Sequence, residues 1–236
     1  DPAWECAISV LRDRGITITS GMLEPVGEDY STLESIARTG GIRDSECWEA
    51  NRELAESVAV CAEAEGIALV TFHAGFLPHD TRDPERVILL DRLREVADLF
   101  SGHGVRLAFE TGQESAATLV GALEDLACPH VGVNFDPANM ILYGMGDPVD
   151  ALRLLAPYVM QVHIKDARET EEPGTWGTEV PVGTGDVDWD ALLTVVRTMS
   201  INPDLVVERE GGSQRQEDIR TAIALLGGHG FNGDAS

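Results

Sequence analysis

The sequence predicts an α/β fold in which successive βα units place their strands in one parallel barrel sheet. Two observations carry that prediction. Short apolar runs alternate with longer amphipathic stretches along the chain, the pattern of parallel strands joined by crossover helices. Four of the runs also end on, or contain, a side chain able to bind a metal: RLAFE closes on Glu110, VGVNFD on Asp136, MQVHI carries His163, and DLVVE closes on Glu208. Strands of a βα barrel present their C-terminal ends on a common face, so these residues, spaced 26, 27 and 45 positions apart in turn, converge there.

In order, the chain opens on a helix over 2–14 that feeds the β-branched strand 16–20. Segment 21–47, rich in Gly, Thr and Glu, reads as a strand-to-helix loop of the kind that carries catalytic groups in barrels. Then come a helix over 48–65 ended by Gly66, a strand over 67–73, and a helix over 84–103 that opens on Pro84 and stops at Gly104. Strand 105–110 precedes helix 115–126, and strand 131–136 precedes helix 147–156. Strand 159–164 leads into a second long loop, 167–187, before helix 188–199, strand 204–208 and a last helix over 213–226. Six strands are two short of a closed (β/α)8 barrel, and an open six-stranded sheet leaves two unpaired edges. The expectation is a single barrel domain over 1–236 whose first two βα units precede residue 1 or are supplied otherwise.

Composition narrows the function. At 236 residues with 43% apolar content, the chain can build one large packed core. No apolar run reaches the ~18 to 20 residues of a membrane span, and residues 1–15 lack the layout of a signal peptide, so the expected location is cytoplasmic. With 17 basic and 41 acidic residues the net charge is −24, which repels polyanions: nucleic acid and membrane surfaces are not expected partners. Cys6, Cys47, Cys61 and Cys128 form no C-x-x-C pair and read as reduced packing residues.

Alternation along a barrel strand puts Ala108 with Glu110, Asn134 with Asp136, Gln161 with His163 and Lys165, and Val206 with Glu208 on one inward face. Three carboxylates and one imidazole suit a single hard or borderline divalent ion, Mn, Mg, Co or Zn, with room left for substrate oxygens. The competing reading is that polar residues merely cap strand ends; consistent parity at four strands in a row favours the ion.

The segments LAFETGQES, VGVNFDPANM, VHIKDA followed by VPVGTGDVDW, and LVVERE resemble the xylose isomerase-like TIM-barrel family, specifically its sugar (or sugar phosphate) isomerase and epimerase branch. The likeness runs over about 16–226. It implies a (β/α)8 TIM barrel whose visible strands are the third to the eighth. It also implies that Glu110, Asp136, His163 and Glu208 are metal ligands, and that Glu110 and Glu208 double as the catalytic acid/base pair. The reaction would be epimerisation or isomerisation of a sugar or sugar phosphate by proton transfer through a metal-bound enediolate. Proton return to the opposite face of the same carbon gives an epimer, and return to the adjacent carbon gives an isomer; the ligand set does not choose. Such barrels also form homo-oligomers, although no residue here marks an interface.

Further residues carry paired readings. His73, ending ALVTFH, meets substrate or is an ordinary rim histidine. Asn139 stands where the epimerases commonly carry a histidine, a departure that leaves it a hydrogen-bond partner of a sugar but neither a charged acid nor an imidazole. Lys165, the sole lysine of the chain, binds a substrate oxygen, carboxylate or phosphate, or else pairs with Asp166 or a nearby acid. Arg209 faces away from Glu208 and suits a structural ion pair, while Glu210 returns to the inward parity if the strand continues. Gly211-Gly212-Ser213 is either a backbone phosphate site ahead of a helix or a turn with Ser213 as N-cap. Trp176 covers a sugar face or packs its loop. Three rival functions share these residues: dehydration of a cyclic polyol ketone such as an inosose, a non-catalytic carbohydrate-binding barrel, and an apurinic endonuclease. Charge and the residue at Asn139 oppose the last.

Overall fold

The computed structural model describes residues 2–172, 174–200 and 202–231, and the side chains from residue 8 onward. Six strands form one all-parallel sheet in the order β1 (Gly21–Met22), β2 (Leu69–Phe72), β3 (Arg106–Glu110), β4 (Val131–Phe135), β5 (Val159–Ile164) and β8 (Asp204–Val207). Crossovers are made by α3 (Trp48–Glu65), α4 (Pro84–Gly102), α5 (Ala116–Leu126), α7 (Pro148–Leu155) and α8 (Trp189–Thr198); α1 (Pro2–Asp13) precedes the sheet and α9 (Arg215–Gly228) follows it. The sheet curls strongly. Ser20, next to β1, accepts a hydrogen bond from Gln161 Nε2 on β5 at 3.0 Å across a sheet in which three strands lie between them.

Strand alternation divides the sheet into two chemistries. Val70, Phe72, Leu107, Phe109, Val133, Phe135, Val162 and Ile164 are buried in one core with Leu93, Phe100, Leu119, Leu152, Leu155 and Leu192 of the surrounding helices. Phe72 and Phe109 meet edge to face at 5.6 Å, a contact that adds to burial. The other parity carries Thr71, Ala108, Glu110, Asn134, Gln161 and His163 and faces the concave side. A hydrophobic parity locked under helices fixes the register, because a slip of one residue would put charge into the core. The last strand is covered less: Leu205, Val206 and Val207 are half-buried, as the sheet ends there.

Several expected elements shift. Pairing with β2 begins only at Gly21, one residue past the run 16–20, because an edge strand is fixed by its single neighbour rather than by β-branched content. Segment 21–47 contains α2 (Leu33–Thr39), started by a capping box between Thr32 and Ser35. Asp136 does not end a strand but caps α6 (Pro137–Leu142). Loop 167–187 holds an antiparallel hairpin of β6 (Asp166–Arg168) and β7 (Thr178–Val180). The last helix starts at Arg215, so Ser213 is not its N-cap. Cys47, Cys61 and Cys128 are half-buried rather than sealed in the core, since they sit at helix ends and flanks; the Cys6 side chain lies outside the described residues. Among the described residues no helix is long and apolar enough to cross a membrane.

Candidate metal centre

At the C-terminal ends of β3, β4, β5 and β8 the four carboxylate and imidazole side chains expected from the sequence come together. One donor atom from each of Glu110, Asp136, His163 and Glu208 lies within 4.8 Å of every other. The backbone builds this cluster step by step. Asp136 Oδ1 accepts from the amides of Ala138 (2.8 Å) and Asn139 (3.0 Å), which ties its position to the start of α6. Its Oδ2 is left buried with no hydrogen-bond partner. Glu110 is held from both sides, Oε1 accepting from Asn139 Nδ2 at 2.9 Å and Oε2 from Asn134 Nδ2 at 3.1 Å. Gly112 permits the Asn139 contact: its φ is +133°, and a Cβ there would lie 2.5 Å from the Asn139 Cβ.

His163 completes the cluster. Its Nε2 lies 3.0 Å from Asn134, while Nδ1 points at the acids, 2.9 Å from Glu208 Oε2, 3.5 Å from Asp136 Oδ2 and 3.6 Å from Glu110 Oε1. Nδ1 is buried and makes a properly aligned hydrogen bond to none of them. A ring nitrogen ringed by three carboxylate oxygens, with Asp136 Oδ2 orphaned beside it, fits a divalent ion held by these four residues. Polar atoms at this depth otherwise find partners, and nitrogen with oxygen donors suits the borderline ions.

Electrostatics reports the same crowding. Burial, reinforced by the charges of Asp136 and Glu208, pushes the Glu110 carboxyl above the usual range despite His73 and His163. Burial alone would raise Glu208 and Asp136 as well, but His163 and Lys165 beside them hold both below it. The same acids raise the His163 imidazole well above its ordinary value against the effect of burial.

Comparison with known proteins places this arrangement. Residues 7–228 match the family described as xylose isomerase-like TIM barrel. The chain belongs to that family. A xylose isomerase domain protein from Planctomyces limnophilus is 34% identical, with a TM-score of 0.87 over 95% of this chain and 80% of that one. Among curated relatives, Escherichia coli (strain K12) YihM is 32% identical over 59% of this chain and 42% of its own. A 3-oxo-isoapionate decarboxylase from Pectobacterium atrosepticum is 30% identical over 54% and 48%, and a 3-dehydroshikimate dehydratase from Bacillus anthracis 27% identical over 50% and 48%. These matches span less than half the length of those curated relatives. An L-ribulose 3-epimerase shares the fold, with a TM-score of 0.65 at 17% identity over 96% of this chain and 88% of that one.

In this xylose isomerase-like barrel the cluster sits at the head of a cleft of about 520 Å³. His73 lines it, with Nε2 3.6 Å from Glu110 Oε1 and a buried, unpartnered Nδ1. Lys165 is 4% exposed and lies 2.7 Å from Glu210, 3.1 Å from Glu208 and 3.6 Å from Asp136. Of the acids offered as its ion-pair partners it meets nearby ones and not Asp166, whose carboxylate turns back to accept backbone N–H groups of 183–187. Arg209 makes the structural ion pairs expected of its parity, to Glu179 and Asp218. Trp176 both packs its loop and lines the cleft: it stands edge-on to Tyr143 at 4.9 Å, and Tyr143 to Phe76 at 5.8 Å. Glu24, Glu28, Tyr30 and Tyr143 also line the cleft and were not legible in the sequence. Glu28, whose Oε1 accepts from the Gly41 amide at 2.8 Å, lies in the first long loop, where only the loop's length hinted at function.

Proposed function

We propose that this protein is a divalent-metal-dependent isomerase or epimerase of a sugar or sugar phosphate. The observation that carries the reading is the convergence of Glu110, Asp136, His163 and Glu208 at the head of a cleft, with Asp136 Oδ2 and His163 Nδ1 lacking aligned hydrogen bonds. One ion of Mn, Mg, Co or Zn held there would polarise a neighbouring carbonyl and hydroxyl and so acidify the proton on the adjoining carbon. The protein supplies the rest. Glu110 and Glu208 come from strands with β4 and β5 between them, so one carboxylate can take a proton from a bound carbon while the other returns one. Asn134 and Asn139 fix both oxygens of Glu110. Lys165 orients Glu208 and offers an ammonium to a substrate oxygen, and His73 and Asn139 face the same space. Tyr143 and Trp176 give an aromatic wall for the apolar face of a sugar ring.

A dehydratase reading shares the proton-abstraction step and differs only in expelling a hydroxyl; its support is the 27% identity to the Bacillus anthracis dehydratase. Product mass separates the two, since dehydration removes one water. The first test is elemental analysis of protein purified without chelator, wild type against a Glu110→Gln/His163→Ala double variant. Near-stoichiometric Mn, Mg, Co or Zn in the wild type, lost in the variant, is expected. A folded wild type that takes up none of these ions on reconstitution would overturn the proposal. Glu208→Gln should then abolish proton exchange into candidate ketoses, whereas altered binding alone would indicate a carbohydrate-binding barrel.

A further inference from the structure

Behind the cleft wall, the turn after β8 forms an anion nest that the chain fills itself. Glu179, on β7 of the hairpin, reaches across to it. Its Oε1 accepts from the Glu210 amide at 3.1 Å and from Arg209 Nη1 at 2.7 Å, and its Oε2 accepts from the Gly211 amide at 2.9 Å. The carboxylate is enclosed, with 13% of the side chain exposed, and Arg209 is at 8% with its Nε on Asp218 at 2.8 Å. Two successive N–H groups and a guanidinium are the donor set with which barrels grip a phosphate at this turn. Here every one of those donors already has a carboxylate oxygen.

The nest adjoins the cleft directly. Glu210, whose amide is part of it, sends its side chain to Lys165 at 2.7 Å and lines the cleft. Among the described residues lining that space Lys165 is the only Lys or Arg, and it faces Asp136, Glu208 and Glu210. Glu24 and Glu28 add negative charge from the opposite loop. A phosphate dianion brought to this wall would meet a carboxylate where it needs donors, and like charges at short range in a partly desolvated site repel strongly.

Resting on the proposed sugar chemistry, we infer that Glu179 is a built-in anion that selects against phosphorylated substrates, so the enzyme acts on an uncharged polyhydroxy ketone. The charged Glu179 also pins the hairpin that carries Trp176, so one residue sets both the cleft's shape and its charge preference.

The test uses the ion-loaded full chain as wild type, Glu179→Ala and Glu179→Gln. Inorganic phosphate is titrated by calorimetry, with melting curves to establish that each variant is folded. Opening the nest should tighten phosphate binding at least about tenfold in Glu179→Ala, the effect of freeing several charge-assisted donors. Glu179→Gln keeps the side-chain volume without the charge, should bind phosphate more tightly than wild type, and decides the matter if the alanine variant does not fold. Equal phosphate affinity in all three proteins overturns the inference. In parallel, kcat/KM for one ketose is compared with that for its terminal phosphate. The wild type should favour the free sugar, and Glu179→Ala should narrow that preference by at least about tenfold. A wild type that prefers the phosphorylated sugar also overturns the inference. If neither sugar turns over, the isomerase reading fails while the phosphate titration still judges the nest.

Discussion

Replacing Asp166 by Ala should unfold much of what surrounds the cleft, and the size of the effect follows from its partners. The side chain is 1% exposed. Its Oδ1 accepts from the amides of Ala167 (2.9 Å) and Val187 (3.3 Å), and its Oδ2 from the amides of Gly183 (2.8 Å) and Gly185 (3.1 Å) and the Trp189 indole (3.0 Å). Gly185 is needed for this approach, as a Cβ there would lie 2.1 Å from Oδ1. An orphaned buried donor costs about 1–3 kcal/mol. Water entering the vacated volume would rescue some of the donors, so a loss of about 3–6 kcal/mol is expected, a large part of an ordinary domain's stability. Asp166→Asn keeps one acceptor oxygen but turns an amide N–H₂ toward other donors, and should lose about half as much. Urea unfolding followed by circular dichroism measures both. A loss below about 1 kcal/mol for Asp166→Ala would refute the idea that this carboxylate organises segment 181–188 and, through it, the hairpin bearing Trp176 and Glu179.

Two more outcomes follow from buried charge. Glu114 is 4% exposed, and burial pushes its carboxyl up to about 8 from an ordinary 4.5. A carboxyl raised in the folded state is stabilising to keep neutral, so its contribution is intact below about pH 4.5 and is lost as pH rises toward 8, by up to about 5 kcal/mol. Glu114→Gln should therefore stabilise the protein by a few kcal/mol at pH 8 and change little at pH 4.5; parallel stability curves for the two proteins would count against it. Separately, loading the candidate metal centre at neutral pH should release at least about one proton per ion, the one carried by the His163 imidazole, read by calorimetry in buffers of different ionisation enthalpy. Release near zero would mean that His163 is already deprotonated in the ion-free protein.

The parts of this molecule that the sequence made legible are those governed by short periodicities. Alternation in RLAFE and MQVHI put Glu110 and His163 on the concave parity, because an apolar parity buried under helices leaves no other register. The acids and imidazole could thus be grouped before any distance was known. Elements set by one neighbour or by local capping were less visible: β1 is placed by β2 alone, and α6 begins because Asp136 serves both as a candidate ligand and as the cap of a Pro-started helix. Residues that reach the site from loops had no periodic signal at all. Glu28 depends on a contact with Gly41, Tyr143 on contacts with Phe76 and Trp176, and Glu179 on one with Gly211, all distant in sequence, which no local pattern encodes.

Charge explains why Lys165 belongs inside this cluster. Without an ion, the surroundings push His163 toward its charged form, so His163 and Lys165 stand as cations against Asp136 and Glu208. With a divalent ion and neutral imidazole, three carboxylates stand against the ion and the Lys165 ammonium. Those four residues, Lys165 and a divalent ion would balance, and a buried cluster without net charge avoids the large desolvation penalty of an uncompensated ion. A monovalent ion would leave the loaded state one charge short. Replacing Lys165 by a neutral residue would leave the loaded cluster negative. The one lysine of the chain thus stands where it would help to balance a divalent cation, while Glu24 and Glu28 across the cleft add to the negative charge that an incoming substrate meets.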